Sequence, residues 1–310
     1  MDYLDRLLQL TKIEGEINIL CRFQGDWIVS HPQADALGIF HLISQGSCRV
    51  QTADQCYHLH AGDLFFLPYG TPHTLSSTET QPDAAAPIVK QQQGALTFCR
   101  NNQLSHDFEM FCGYFRYASD SPLAFLHLPQ LHLSANNRSI MSLLTLLQQE
   151  TTPGLANKSV IDGLCTVLFT YLMRDYLQSH AVNHGILAAL QDKRLFHAAN
   201  AMLQNPAYRW TMDNLAERCA LSRASFIRLF KQKTGALPGK LLSDLRMQKA
   251  QMLVRHTNKS IFAIAAEVGY QSESHFSQIF KRYFGSAPSQ YRAACAAHRP
   301  ASARNAAQQA

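Results

Sequence analysis

Cysteine and histidine are the residues in this sequence best suited to react with an oxidant or to bind a metal ion. The 310-residue chain contains eight Cys and 14 His. The cysteines are scattered and form no Cys-x-x-Cys pair, which argues against a zinc ribbon and a secreted disulfide scaffold. The N-terminal segment MDYLDRLLQL carries acidic residues and no long apolar run, so it does not read as a signal peptide. We expect a cytoplasmic protein with reduced thiols and no membrane contact.

Cys21 is the cysteine whose sequence neighbours favour reactivity. It lies in the segment INILCRFQGDW, directly before Arg22. A nearby positive charge lowers the pKa of a thiol and so favours the thiolate, the form that oxidants attack. Cys21 is therefore a redox-sensing candidate, and a small buried hydrophobe is the alternative interpretation.

A turn motif in the first quarter of the chain resembles the second motif of the cupin barrel. Residues 62–76, GDLFFLPYGTPHTLS, have Gly62, Pro68, Gly70 and His73 at the spacing of that motif. Gly and Pro at these positions make tight turns between barrel strands, whatever the barrel holds. The resemblance implies a small β-barrel in this half of the chain.

The histidines of this half do not reproduce the ligand pattern of a metal-binding cupin enzyme. That pattern requires a His-x-His pair, a Glu and a later His, whereas the nearest pair, His58-x-His60, lies directly before Gly62 and not on an earlier strand with a Glu following it. We predict no cofactor and no metal, with core or barrel-rim histidines as the default and a cupin enzyme as a remote alternative. The residues left as metal candidates are His31, His41, His58, His60 and His73.

The pattern of apolar and polar residues changes along the chain and predicts an α+β fold. Short apolar runs separated by Gly, Pro, Asp and Gln indicate strands over residues 17 to about 116. Helical periodicity follows after Ser134. We predict a cupin-like sensing domain (1–133), a helical dimerisation or packing segment (134–180), an all-α domain (181–292) and a disordered tail (293–310).

Two segments, residues 134–150 and 159–177, carry apolar stripes typical of amphipathic helices. Such a stripe either packs on the neighbouring β domain or pairs with a second copy of the chain, and spacing alone does not separate these alternatives. The stripe residues are Ile140, Leu143, Leu144 and Leu147 in the first segment, and Ile161, Leu164, Leu168 and Leu172 in the second.

The charge of the chain is concentrated in its C-terminal part. Residues 191–310 contain 18 Lys and Arg against 6 Asp and Glu, whereas residues 1–190 contain 10 against 16. A basic half beside an acidic one indicates that one half meets a polyanion, with a solvated basic surface as the alternative.

The basic part contains an internal repeat with an offset of 50 residues. Residues 215–238 (LAERCALSRASFIRLFKQKTGALP) align with residues 265–288 (AAEVGYQSESHFSQIFKRYFGSAP), with eight identical positions in 24. Each copy reads as a helix, a short turn and a second helix that begins at Ser222 or Ser272 and ends at a Gly. One spacer helix between the copies would place the two second helices about one DNA turn apart.

Residues 210–292 resemble the double helix-turn-helix DNA-binding domain of AraC/XylS-type transcription regulators, and the segment IAAEVGYQSESHFSQIFKRYFGSAPSQYR is specific to that family. The resemblance implies a sequence-specific regulator whose partner is double-stranded DNA. It also implies a cupin-like sensing domain, a homodimer, and RNA polymerase as a further partner, for either activation or repression.

Carried onto this sequence, the resemblance assigns DNA contacts to both second helices. Arg228 is the best candidate for a bidentate contact to guanine, while Arg223 and Lys231 also suit phosphate contacts. Ser222 and Ser272 fit helix caps and phosphate ligands equally well. The second copy has Gln278 where the first has Arg228, so it is predicted to read sequence more weakly. The predicted contacts are Ser222, Arg223, Ala224, Ser225, Ile227, Arg228 and Lys231 in the first copy, and Ser272, Glu273, Ser274, His275, Ser277, Gln278 and Lys281 in the second.

The N-terminal half resembles, more loosely, a reactive-chlorine-sensing subgroup of the same family. Cys21 and Cys112, the latter in FEMFCGYFRY, match cysteines of that subgroup, so both become redox-sensing candidates. Two inputs remain open at this point: thiol oxidation, or a small-molecule or metal effector held in the barrel.

Overall fold

The computed structural model describes residues 2–11, 14–33, 37–77, 87–102, 104–116, 128–134, 137–152 and 157–297. These residues divide into two compact units. The β-rich unit comprises the described residues from 14 to 116 and from 128 to 180, and the helical unit comprises residues 2–11 and 181–297. The predicted α+β class, with a cupin-like sheet half and an all-α half, is confirmed.

The β-rich unit is built from two sheets that enclose one apolar core. The larger sheet has seven strands in the order β11-β6-β3-β10-β1-β9-β8, and the smaller has four in the order β2-β7-β4-β5. The strands are β1 (Glu14–Phe23), β2 (Ile28–His31), β3 (Leu37–Gln45), β4 (Ser47–Gln51), β5 (Cys56–His60), β6 (Leu64–Leu67), β7 (His73–Ser76), β8 (Val89–Gln93), β9 (Leu96–Arg100), β10 (Phe108–Arg116) and β11 (Leu131–Leu133).

Alternation of side chains along the strands fills this core. On β1, Cys21 and Phe23 are buried while Arg22 between them is partly exposed, as the two-residue period of a strand requires. Aromatic rings from neighbouring segments complete the packing, since Trp27 lies 4.8 Å from Phe23 and 4.5 Å from Phe108 between ring centroids. The cysteines of the core therefore point to the same interior as the large aromatic residues.

The cupin-like motif forms turns on both sides of β6. Gly62, which has a φ of 93°, lies in the turn between β5 and β6. Pro68–Gly70 forms a single 3-10 turn after β6, and β7 begins three residues later at His73. The motif thus directs His73 back into the unit, where it is buried.

Helices α2 (Arg138–Gln149) and α3 (Asn157–Ser179) complete the β-rich unit. The predicted stripe of α2 is buried, as are three of the four stripe residues of α3, and Leu164 is half-buried. Helix α3 packs on β10 through Phe169, whose ring centroid lies 4.6 Å from that of Phe115. Most of both stripes is therefore core of this chain rather than free surface. None of the described helices is long and apolar enough to cross a membrane.

The helical unit consists of nine described helices. They are α1 (Tyr3–Thr11), α4 (Gly185–Gln191), α5 (Phe196–Gln204), α6 (Met212–Arg218), α7 (Arg223–Thr234), α8 (Pro238–His256), α9 (Ile261–Glu267), α10 (Glu273–Phe284) and α11 (Pro288–Ala297). Helices α6–α7 and α9–α10 are the two predicted helix-turn-helix copies, and α8 is the spacer helix between them.

Two of the sequence-based domain boundaries differ from the structure. Helix α1, assigned to the sensing domain, lies in the helical unit, because its buried Leu4 and Leu7 and the ring of Tyr3, 6.3 Å from Phe196, pack there. Arg6 also donates to the carbonyls of Leu203 (3.5 Å) and Gln204 (3.3 Å) at the end of α5. At the other end, the Ala-rich segment after residue 293 continues α11 to Ala297, since alanine favours helix. The rest of the predicted tail lies outside the described residues.

Helix α8 forms part of the core of the second copy. Its Met247, Ala250 and Val254 are buried against α9 and α10, together with Phe276 and Phe280. A hydrogen bond from the Tyr283 hydroxyl to Asp244 (2.8 Å) adds a polar link from α10 to the same helix. Because α8 has 19 residues, it spans about 28 Å. One rigid element therefore fixes where the second copy begins.

The turn of the second copy depends on Gly269. Its φ is 89°, and a Cβ atom built there would lie 2.4 Å from the carbonyl oxygen of Ala207. In the first copy the turn takes its positive φ one position later in the alignment, at Ala220 (52°). The two turns are therefore built differently, although both second helices start at the aligned Ser.

We predict that Gly269→Ala destabilises the helical unit by more than about 3 kcal/mol, because it adds a steric clash to a strained backbone. Gly285→Ala has the same backbone strain (φ 74°) but meets no atom within 4 Å, so it should cost only about 1–2 kcal/mol. Gly239→Ala, in open space on a helix, should be neutral or stabilising. Thermal unfolding monitored by circular dichroism measures the three variants, and equal losses at Gly269 and Gly285 would contradict the role of the close approach.

Candidate DNA interface and candidate sensing site

Helix α7 presents a basic surface on the side opposite its buried phenylalanines. Phe226 and Phe230 are fully buried, which fixes the rotation of the helix. Of the predicted contacts on this helix, Arg223, Ala224, Arg228 and Lys231 are exposed, and Ser225 and Ile227 are half-buried.

Arg228 and Arg223 differ in the ion-pair partners of their side chains. Arg223 lies 3.5 Å from Asp213 in an ion pair, which positions its guanidinium beside the start of the helix. Among the described residues, Arg228 has no ion-pair partner and no hydrogen-bond partner. A long, fully hydrated guanidinium on an exposed helix is free to form a bidentate contact with a guanine edge.

Helix α10 presents an equivalent but less basic surface. Phe276 and Phe280 are buried at the positions aligned with the two phenylalanines of α7. The predicted contacts Glu273, Ser274, His275, Gln278 and Lys281 are exposed, and Ser277 is half-buried. Because an acidic residue opens this helix and an amide replaces Arg228, its surface is weaker in positive charge than that of α7.

Ser222 and Ser272 are helix caps. The hydroxyl oxygen of Ser222 accepts from the backbone N–H of Ser225 (3.3 Å), and that of Ser272 accepts from His275 (3.4 Å). At the other ends, Gly235 and Gly285 adopt the left-handed conformation and donate to the carbonyls of Lys231 and Lys281 at 2.9 Å. Of the two roles left open by the sequence, the structure therefore supports capping.

Three buried thiols meet in the core of the β-rich unit. Cys21 on β1 pairs across the parallel ladder with Cys99 on β9, and Cys112 lies on β10, the other neighbour of β1. All three thiols belong to the same buried core cluster. All three are nearly inaccessible, at 4%, 5% and 4% exposure. Of the sequence candidates, Cys21 and Cys112 are thus brought together, and Cys99 joins them.

The predicted activation of Cys21 by Arg22 is wrong. Successive residues of a strand point to opposite faces, so the Arg22 guanidinium lies on the far side of β1, where its Nε donates to Glu109 at 2.6 Å. The contact with Cys112, together with burial, instead raises the pKa of the Cys21 thiol well above its usual value. Cys99 shows the same direction of pKa shift, caused first by its contact with Cys21 and then by burial.

Three of the five candidate histidines also meet in this core. His31 and His73 form a cross-strand pair in the smaller sheet, and His41 extends from β3 of the larger sheet. The Nε2 atoms of His41 and His73 are 2.8 Å apart, and one ring nitrogen from each of the three residues lies within 4.8 Å of the others. His58 and His60 are exposed on β5 and are not part of this cluster.

The histidine cluster touches the thiol cluster through His41. The Nδ1 atom of His41 lies 3.2 Å from Cys112 Sγ, its cross-strand partner. Burial, followed by the proximity of His73, lowers the pKa of His41 well below its usual value, and burial lowers the pKa of His31 to about 4. All three imidazoles are therefore neutral at pH 7, because burial also lowers the pKa of His73.

Sequence analysis missed Cys99 because nothing local identifies it. Its contact with Cys21 depends on a parallel pairing of β1 and β9, two strands about 75 residues apart along the chain. Parallel pairing leaves no hairpin signature in the sequence, in contrast to a two-residue turn. An apolar residue at the position of Cys99 would have given the same strand pattern.

Comparisons with known proteins cover both units. A family model described as "Cupin" matches residues 2–178, and one described as "Helix-turn-helix domain" matches residues 215–294. An uncharacterized HTH-type transcriptional regulator of Haemophilus influenzae is 44% identical over 294 residues, covering 94% of this chain and 98% of its own length. The HTH-type transcriptional regulator MtrA of Neisseria gonorrhoeae is 31% identical, with 94% and 98% covered. The RCS-specific HTH-type transcriptional activator RclR of Escherichia coli is 28% identical, with 94% and 97% covered.

We predict that the buried thiols resist alkylation in the native protein. Burial raises the pKa of Cys48 to about 12, so roughly one molecule in ten thousand carries the thiolate at pH 8, and Cys21 is shifted in the same direction. Cys56 is exposed. Mass spectrometry after brief iodoacetamide treatment at pH 8 should therefore find Cys56 modified at least 100-fold faster than Cys21 or Cys48. In guanidinium chloride the difference should vanish, and equal rates in the native protein would contradict the burial argument.

Proposed function

The chain belongs to the AraC/XylS family of HTH-type transcriptional regulators with an N-terminal cupin domain, and from this premise we propose that it binds specific promoter DNA through α7 and α10 and changes promoter activity when thiols of its β-rich unit are oxidised. Such a protein is not an enzyme, and its place of action is the cytoplasm, where its DNA target lies. The observation that carries the DNA-binding part is the exposed, unpaired Arg228 on a helix anchored by two buried phenylalanines.

The two copies differ in how strongly they discriminate between base sequences, because they present different side chains. Arg228 can donate two parallel hydrogen bonds to the O6 and N7 atoms of guanine, whereas Gln278 at the aligned position suits adenine and carries no charge. Lys231 and Lys281 at the next turn suit phosphate contacts, which set position rather than specificity. The first copy therefore supplies most of the sequence discrimination.

We predict that Arg228→Ala weakens binding to the target promoter about 10- to 100-fold, the effect of about 1–3 kcal/mol from one bidentate contact, with little change on random DNA. Gln278→Ala should weaken promoter binding less. Lys231→Ala should weaken binding to both DNAs and reduce the salt dependence by about one phosphate contact. Fluorescence anisotropy with promoter and random duplexes at several salt concentrations measures these effects.

Lys193→Ala is the matched control for these variants. Lys193 is exposed and belongs to the same basic unit, but it lies in the turn before α5, outside both helix-turn-helix copies. Its loss removes one charge without touching a reading helix. If Lys193→Ala and Arg228→Ala weakened promoter binding equally, Arg228 would be only part of a diffuse positive surface.

The regulator acts as a homodimer that pairs through the outer face of α3. Val160 and Val167 are large apolar residues that are 42% and 40% exposed. They are seven residues apart, with Gly163 and the half-buried Leu164 between them, the spacing of a helix–helix seam. RNA polymerase is the further partner expected of a regulator that activates a promoter.

The input is oxidation of Cys21 by a small neutral oxidant such as hypochlorous acid. The oxidant converts one thiol to a sulfenyl chloride with release of water, and a neighbouring thiol displaces chloride as HCl. The net reaction joins two thiols in a disulfide and reduces one hypochlorous acid. Cys99 is the cross-strand partner of Cys21, and Cys112 belongs to the same core cluster, so either can resolve the intermediate. The relative RclR, whose name describes it as RCS-specific, supports this choice of oxidant.

The consequence of a disulfide is a local change in the larger sheet. The three thiols lie on three adjacent strands, β9, β1 and β10. Bridging two strands fixes the distance between their Cα atoms at about 4.4–6.8 Å, which constrains their relative positions. Strand β1 begins three residues after helix α1 of the helical unit, so a displacement of β1 is transmitted along the chain to that unit.

We predict that Cys21→Ser abolishes the change in promoter activity that hypochlorous acid or peroxide produces, because it removes the thiol shared by both possible disulfides. Cys56→Ser, which removes an exposed thiol outside the cluster, should leave the response intact. A promoter–reporter assay with and without oxidant measures both. An unchanged response in Cys21→Ser would overturn thiol oxidation as the input.

A small-molecule effector is the second candidate input. A cleft of about 650 Å³ lies along β8 and β9, lined in part by Val89, Phe98 and Arg100. The cleft combines amide side chains and a guanidinium with a few apolar residues, features that suit a small anionic molecule. Thermal stabilisation of a protein that lacks Cys21 by such a molecule would favour this input.

A further inference from the structure

The two sheets of the β-rich unit each contribute histidine to one point in the core. The smaller sheet supplies His31 and His73 as a cross-strand pair, with stacked rings 4.7 Å apart. The larger sheet supplies His41, whose ring centroid lies 5.0 Å from that of His73 and 5.2 Å from that of His31. His41 and His73 are buried at 0% and 4% exposure. Three imidazoles thus converge between the sheets from positions far apart in sequence.

The hydrogen bonds of these rings leave one buried ring nitrogen without a protein partner. His73 Nδ1 lies 2.7 Å from the carbonyl oxygen of Thr71, which can only accept, so the proton of His73 is on Nδ1 and its Nε2 accepts from His41 Nε2 at 2.8 Å. His31 Nε2 is buried and has no hydrogen-bond partner among the described residues. Buried polar atoms are normally paired, so the unpartnered nitrogen of His31 beside the His41–His73 contact indicates a missing ligand.

The chemistry of the cluster matches a cation that prefers imidazole. Neutral imidazole is the ligand form of histidine, and burial keeps all three rings neutral. Among the described residues, the cluster contains no carboxylate, which disfavours Mg²⁺ and Ca²⁺. A buried site without an anionic ligand suits Zn²⁺, or Cu⁺ with its single charge.

We propose that His31, His41 and His73 form a binding site for one transition-metal ion, Zn²⁺ or Cu⁺, between the two sheets. Metal–nitrogen bonds of about 2.0–2.1 Å in tetrahedral geometry place ligand nitrogens about 3.3 Å apart. The Nε2 atoms of His41 and His73, now 2.8 Å apart, need to separate by about 0.5 Å, and the His31 nitrogen, which lies within 4.8 Å of both other ligand nitrogens, completes the site by moving towards them. His73 Nδ1–H remains bonded to Thr71, which orients that ligand.

The site is tested by titrating reduced full-length protein with Zn²⁺ and with Cu⁺ and counting bound metal by mass spectrometry. We expect one ion per chain, and at least 100-fold weaker binding in His31→Gln and in His73→Gln. His58→Gln and His60→Gln, which alter exposed histidines of the same unit, should bind as the parent does. Absorbance of Co²⁺, used as a probe for the Zn²⁺ arm, should show a four-coordinate spectrum that His31→Gln loses.

Folding of the variants is checked without metal. His31 is the least buried of the three, so His31→Gln should keep the circular dichroism spectrum of the parent and a similar unfolding temperature in a chelator. A folded His31→Gln that binds metal as well as the parent would overturn the site. So would a parent protein that binds neither ion.

Discussion

The 2.8 Å contact between His41 Nε2 and His73 Nε2 sets the constraint on which the β-rich unit depends. It joins the two sheets through polar atoms in an interior otherwise filled by aromatic and aliphatic side chains. Each histidine belongs to a cross-strand pair, His41 with Cys112 and His73 with His31. A slip of one residue in either pairing would turn these side chains to the outside, so the contact specifies register as well as sheet packing.

The same strand register also determines where the thiols lie. Because Cys112 lies opposite His41 on one side and next to β1 on the other, it faces both the imidazole cluster and Cys21. Whether His41 Nδ1 carries a proton therefore determines whether this nitrogen donates a hydrogen bond to Cys112 or accepts one from it. Polar groups in a buried series of hydrogen bonds polarise one another, so a change in protonation at one end alters the hydrogen bonding at the other. The core of this unit combines packing with a continuous polar path.

The helices of the helical unit could largely be predicted from the sequence, whereas the core of the β-rich unit could not. The repeat, the serine caps and the glycine ends are local signals, and the structure has helices α6–α7 and α9–α10 where they predict them. The convergence of His31, His41 and His73 depends on sheet pairings between distant segments, which leave no local trace. The wrong prediction that Arg22 activates Cys21 has a physical origin too. Neighbouring residues of a strand point to opposite faces of the sheet, so these two side chains do not meet. Helix α1 shows a further limit: nothing in its local sequence identifies the unit on which it packs.

Helix α1 makes the helical unit a discontinuous domain. Its described residues, 2–11 and 181–297, come from two stretches of the sequence that are separated by the described residues of the β-rich unit. A fragment that begins at residue 181 would lack Leu4 and Leu7 and would expose the apolar face of α5 to water. It would also lose the Arg6 side chain that caps the end of α5. A form of this half that keeps these contacts therefore joins residues 2–11 to residue 181 and omits the β-rich unit.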